Sequence, residues 1–212
     1  MKKLLAFHND PKIKEKYIAR VKAHAEADEI IKGRYWEDGK GRAVGCTIEG
    51  EDHNRYEKEL GIPAILAHLE DRLFEDMSNE DAMKFPLQFL EAIPVGADLS
   101  QVFTKLVIWE WEDEKHGLKN IKEIKEDKEL SDCCEKVCGM YKRKLNGEEV
   151  KVKEWRELKG LADKIYWAGA RAWAGAGARA WARARAGAGA EYEKQISITA
   201  KQLLKLLKES KQ

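Results

Sequence analysis

"GRYWEDGKGRAVGCTIEGEDH", residues 33–53, decides how the chain is read, because it is the least helical stretch of the sequence. Gly33, Gly39, Gly41, Gly45 and Gly50 all fall within it. Asp38-Gly39 is a hairpin turn pair, since both residues tolerate the positive φ that a tight turn needs. A short irregular hairpin between Tyr35 and Ile48 is therefore expected. If strands are confined here, the flanks must be helical.

Upstream, Asp10 is placed to cap a helix that starts at Pro11, where the missing N–H costs nothing. Ile13, Tyr17, Val21 and Ala25 recur along one face, and Gly33 stops the segment. Downstream, helix resumes near Asn54 and ends at Gly61. Pro63 opens "PAILAHLEDRLFEDM", with Ile65, Leu66, Leu69 and Leu73 expected inside. Ser78 begins another helix, with Asp81 three residues on in the manner of a capping box, and Pro86 should kink or restart it. Further helices are predicted over Asp98–Glu114, over Lys119–Leu145 and from Val152 to the tail "ITAKQLLKLLKESKQ". The predicted class is all-α, a multi-helix bundle with a glycine-rich segment at about 33–53 and a long C-terminal Ala-rich helix.

That last helix rests on the tract Trp167–Ala190, "WAGARAWAGAGARAWARARAGAGA". Its period of two looks strand-like, but it contains no β-branched residue, and alanine, the best helix former, fills every second position. Wound as a helix, it gives one face of Ala and Gly and another carrying Trp167, Arg171, Trp181 and Arg185. Arginine beside an indole, four residues apart, suits cation–π pairing or the recognition of phosphate and bases.

The chain has 212 residues, 43% hydrophobic and 36% charged, with a formal net charge of +1. The charge is polarised: residues 1–116 hold 17 Lys/Arg against 24 Asp/Glu, and residues 117–212 hold 22 against 14. We read 1–116 as an acidic helical domain with the glycine-rich segment, and 117–212 as a basic helical region packing on it, or as one continuous domain. No apolar run is long enough to cross a bilayer. In "MKKLLAFHNDPK", Asp10 and Pro11 interrupt the start too early for a signal peptide, so the expected location is cytoplasmic, with no membrane partner. Cys46, Cys133, Cys134 and Cys138 lack paired metal-site spacing and read as reduced structural thiols, although Cys134 and Cys138 are four residues apart on a predicted helix.

Two candidate sites emerge. In the first, Tyr35, Trp36, Lys40, Arg42 and His53 lie among glycines that permit close backbone approach to an anion. "GRYWEDGKGR" is not a Walker loop, because Gly41 stands where Ser or Thr is required. In the second, His24 with Asp28 and His68 with Asp71 have helical spacing, and His53 lies between them in sequence; facing each other, they could hold a divalent metal and activate water.

"IKGRYWEDGKGRAVGCTI", "YEKELGIPAILAHLEDRLFEDM" and "FLEAIPVGADL" resemble a group of phage and bacterial proteins with Ala-rich tails punctuated by Trp and Arg. The likeness spans most of the chain and implies no activity. That group carries cysteine where Arg42 stands and histidine where Glu49 stands, which argues against a thiol or metal site in the glycine-rich segment. The expected function is that of a non-enzymatic accessory protein. It would bind an anionic ligand (a nucleotide or nucleic acid) or a host protein through Tyr35, Trp36, Lys40, Arg42, His53, Trp167, Arg171, Trp181 and Arg185. No cofactor or metal is expected in this reading. Leu203, Leu204, Leu206 and Leu207 exceed one narrow stripe, so a homo-oligomer is expected too. The alternative is a small metal- or His-dependent hydrolase built on His24, Asp28, His53, His68 and Asp71.

Overall fold

A computed structural model describes residues 3–120, 122–160 and 194–211. The tract Trp167–Ala190 lies outside the described residues. The architecture is all-α apart from one two-stranded hairpin. The chain divides into two compact units, Met1–Phe103 with Ile196–Gln212, and Thr104–Gln195.

The first unit opens as its sequence predicts. In α1 (Pro11–Glu26), the Asp10 side chain accepts from the Lys12 N–H at 2.9 Å and Pro11 takes the first turn. Its buried residues are Tyr17, Val21 and His24, while Ala25 is exposed. A four-residue step overshoots the helical turn by about 40°, so three such steps from Ile13 carry Ala25 off the face. His24 takes the inner place.

The hairpin forms, but it is shorter than expected. β1 (Trp36–Glu37) and β2 (Lys40–Gly41) pair antiparallel, with Trp36 opposite Gly41. Asp38 and Gly39 turn between them at φ +51° and +79°. Beyond it, α2 (Ala43–Ile48) is helix rather than strand, and all of its residues are buried. Gly45 makes this possible: a Cβ there would stand 1.9 Å from the Tyr35 carbonyl oxygen. The strand before the turn thus lies directly on the helix that follows it.

A single π-helical turn (Tyr56–Leu60) ends at Gly61, whose φ of +65° is left-handed. α3 (Ala64–Asp76) buries Leu66, Ala67, Glu70, Asp71, Leu73 and Phe74, whereas Ile65, expected inside, is 46% exposed. In α4 (Asn79–Ala92), the Ser78 hydroxyl accepts from the Asp81 N–H at 3.2 Å, as the spacing predicts. Pro86 does not restart α4, which runs through it from Asn79 to Ala92. Its ring is buried, and that burial offsets the one helix hydrogen bond a proline removes. The four helices α1 to α4 pack on one another. Residues 194–208 are helical, and the stretch from 196 belongs to this unit. Leu203 and Leu207 are buried, and Leu204 and Leu206 half-buried.

α5 (Val102–Glu112) carries the chain into the second unit and is shorter than the predicted Asp98–Glu114. The stretch expected as one helix over Lys119–Leu145 divides into α6 (Lys122–Glu126) and α7 (Lys128–Leu145). The break falls at Asp127, whose carboxylate accepts from the Leu130 N–H at 3.0 Å and so caps α7. Cys133, Met140 and Leu158 form a small core with Val137, Val150 and Trp155. Among the described residues, no helix is long and apolar enough to cross a membrane.

Candidate functional site

The site begins with a carboxylate on the wrong side of a helix. Asp71 is polar, yet it sits on the buried face of α3 with its side chain 5% exposed. A charge placed there must be answered on each oxygen. Oδ1 accepts from the Val44 N–H, at the start of α2, at 3.0 Å. Oδ2 accepts from His53 Nε2–H at 2.8 Å, and the Arg42 guanidinium approaches the same oxygen at 3.6 Å. Burial raises the Asp71 carboxyl above its ordinary range, and Val44, Arg42 and His53 draw it back.

His53 is fixed in a second direction. Its ring stacks on His68 with centroids 4.0 Å apart and planes 9° from parallel, and Tyr35 meets it edge-on at 6.2 Å. Asp71 sets the rotation of the imidazole, and His68 sets its tilt. The His68 imidazole is held below its usual pKa, first by desolvation and then by the neighbouring His53. Nδ1 of His53 has no protein partner among the described residues, and it is not sealed from solvent.

Arg42 immediately precedes α2, and its guanidinium lies over the Tyr35 ring, 3.2 Å from the centroid. Its Nε is buried without a hydrogen bond among the described residues, because Asp71 at 3.6 Å and Glu75 at 3.8 Å are ion-pair neighbours only. Together Tyr35, Arg42, Glu51, His53, His68, Asp71 and Arg72 line a cavity of about 400 Å³. Tyr35, Glu51, His68 and Arg72 are exposed at its mouth, and His53 and Asp71 are buried behind them.

Glu70, beside Asp71, was not foreseen. It is fully buried, and the Tyr56 hydroxyl donates to its Oε2 at 2.8 Å, while Oε1 has no partner among the described residues. Burial lifts both the Glu70 carboxyl and the Tyr56 phenol well above their ordinary values. Burial thus pushes Glu70 further toward its neutral form than Asp71, whose two oxygens are both answered. A signal did exist, because Glu70 stands four residues after Leu66 and four before Phe74, on the apolar face.

The structure gathers residues from both candidate sets. Tyr35, Arg42 and His53 of the first meet His68 and Asp71 of the second in one cavity. Trp36 is elsewhere, edge-on to His24 at 5.4 Å, and Lys40 is exposed on β2. His24 Nδ1 pairs with Glu29 at 2.6 Å, not with Asp28. α1 stops at Glu26, so four-residue helical spacing does not apply at Asp28, which turns at φ +53°. Trp167, Arg171, Trp181 and Arg185 lie outside the described residues.

The residues present do not fit a metal. Among the described residues, no group of three or more His, Cys, Asp or Glu is placed to hold one. Parallel stacked imidazoles cannot both aim a lone pair at one ion, and both Asp71 oxygens are already engaged. The nearby Cys46 thiol is also inert: burial pushes it up to about 12, and it donates to the Gly41 carbonyl at 3.2 Å. The arrangement instead offers an oriented histidine, two guanidinium groups and an aromatic ring. Compared with known protein families, curated proteins and solved structures, the chain matches none.

Proposed function

We propose that the cavity binds a small anionic ligand of the nucleotide class, as part of a phage or bacterial accessory protein. The observation that carries this reading is the Arg42 guanidinium, spread over Tyr35 with a buried Nε that forms no hydrogen bond among the described residues. A guanidinium grips phosphate through a fork of parallel N–H bonds, and a ring beneath it keeps the fork planar and in place. Arg72, at the mouth, forms no ion pair among the described residues and supplies a second positive charge. Tyr35 is 49% exposed, which leaves ring surface for a base to stack on. The volume is that of a small-molecule site. Glu51, on the same rim, accepts from a ribose hydroxyl or a base amino group rather than repelling a single phosphate.

Calorimetric titration of the full chain with adenosine monophosphate and with inorganic phosphate tests this proposal. Binding should weaken at least about tenfold in Arg42→Ala, equivalent to 1.4 kcal/mol. Arg42→Lys should lose nearly as much, because a point charge does not replace the fork. Equal affinity in all three proteins would remove Arg42 from the site and the proposal with it.

A further inference from the structure

We infer that the cavity cleaves single-stranded RNA without a metal, by transesterification, with His53 as the general base. The inference rests on the anion-binding role of the same site and adds a reaction to it. Its starting point is the tautomer of His53. A carboxylate accepts only, so the 2.8 Å contact with Asp71 Oδ2 places the ring proton on Nε2. Nδ1 then carries a bare lone pair, with no protein partner among the described residues, on a largely buried ring that lines the cavity. That is the arrangement of a base held ready by a carboxylate.

What the cavity lacks on its walls limits the substrate. None of the described lining residues is a serine, threonine or cysteine, so His53 has no Ser–His or Cys–His partner to activate there. Its acidic and imidazole groups do not converge on a metal position. A substrate that brings its own nucleophile removes both needs, and RNA does so through its 2′-hydroxyl. His53 Nδ1 takes the 2′-hydroxyl proton, and O2′ attacks the adjacent phosphorus. The P–O5′ bond breaks, and the departing O5′ takes its proton from water at the open mouth. The products are a 2′,3′-cyclic phosphate and a free 5′-hydroxyl. The imidazolium of His53 returns its proton to solvent, so no other reactant is consumed. Arg42 and Arg72 neutralise the charge that builds on the phosphoryl oxygens, and Asp71 steadies the imidazolium.

The test uses the full-length protein, a short single-stranded RNA, and the same sequence with 2′-O-methyl groups as an uncleavable binding probe, all in EDTA. The wild type should bind both, cleave only the unmodified RNA, and leave cyclic phosphate ends. His53→Ala, purified in parallel, should lose at least about 100-fold in rate while binding the methylated probe within about threefold. Added imidazole should restore part of that loss. Asp71→Asn should lose a similar factor for a different reason. Its amide N–H donates to Nε2 and drives the ring proton onto Nδ1, which removes the base. His68→Ala should lower the rate and His68→Phe recover it, because a flat ring restores the stack. Tight binding of the methylated probe with no cleavage overturns the catalytic inference and leaves the binding role standing. Absence of binding to either RNA and to adenosine monophosphate overturns both. Cleavage that persists in His53→Ala, or that EDTA abolishes, overturns the assignment of a metal-free histidine base.

Discussion

At the scale of single residues, the two neighbouring acids of α3 show how environment separates one chemistry into two. Asp71 is answered by an N–H, an imidazole and a guanidinium, and Glu70 by one phenol. Glu70 consequently holds its proton well above the ordinary carboxyl value of 4.5. The sign of the linkage follows. Between 4.5 and the raised folded-state value, the native chain binds a proton that the unfolded chain has lost, so rising pH costs stability. Glu70→Gln mimics the neutral acid and cannot ionise. In urea unfolding at a series of pH values, the stability difference should move in favour of Gln as pH rises above 4.5, at up to about 1.4 kcal/mol per unit. A difference that stays constant with pH would mean that Glu70 is ionised in the folded protein. The sequence showed His53, His68 and Asp71 as candidates, because histidine and aspartate near helical spacing attract notice. It hid Glu70, since a Leu-Glu-Asp-Arg run resembles an exposed turn until the 100° positions are followed.

At the scale of elements, the glycine-rich segment was legible as a break from helix and as a hairpin turn, but not in its second half. Ala43–Ile48 contains valine, threonine and isoleucine, which favour strand, and it still forms α2. The deciding contact is non-local, the Tyr35 backbone lying against Gly45, and no local propensity encodes it. The same contact sets Tyr35 beneath Arg42, so fold and site share one close approach. Gly45→Ala should force the carbonyl of Tyr35 away and destabilise the first unit by about 3 kcal/mol, near the upper end for overpacking. It should also weaken adenosine monophosphate binding at temperatures where the variant remains folded, since the ring under Arg42 moves. Gly39→Ala, at φ +79° but with nothing within 4 Å of the new Cβ, separates the two effects. It should cost about 1 kcal/mol of backbone strain and leave binding unchanged. If Gly45→Ala matches Gly39→Ala in both measurements, close packing on Tyr35 is not what makes the glycine necessary.

At the scale of the whole molecule, the all-α class was readable from cap, period and breaker signals, whereas the route of the chain was not. Leu203, Leu204, Leu206 and Leu207 look in sequence like a surplus of leucine awaiting a second copy. In the structure, Leu203 and Leu207 are fully buried inside the first unit, with Ile196 and Ala200 also buried there, and Leu204 and Leu206 stay half-buried. The strap is also tied at its end, where the Asp98 N–H donates to the Lys211 carbonyl at 2.9 Å. Asp98 in turn pairs with Lys3 at 3.4 Å, and the Ala6 N–H donates to Ala97 at 2.9 Å, so both chain ends converge on the segment after α4. A unit assembled from both ends of its sequence depends on a tail that, among the described residues, contributes none to the cavity. Leu203→Ala and Leu207→Ala should each cost about 2–5 kcal/mol, and a domain of ordinary stability has only about 5–15 kcal/mol to lose. The double variant should therefore lower the unfolding midpoint steeply and abolish adenosine monophosphate binding near the new midpoint, although every cavity residue precedes Phe103. Leu204→Ala with Leu206→Ala, at half-buried positions, should cost less than half as much. Equal losses from the two pairs would show that the buried strap does not hold the cavity together.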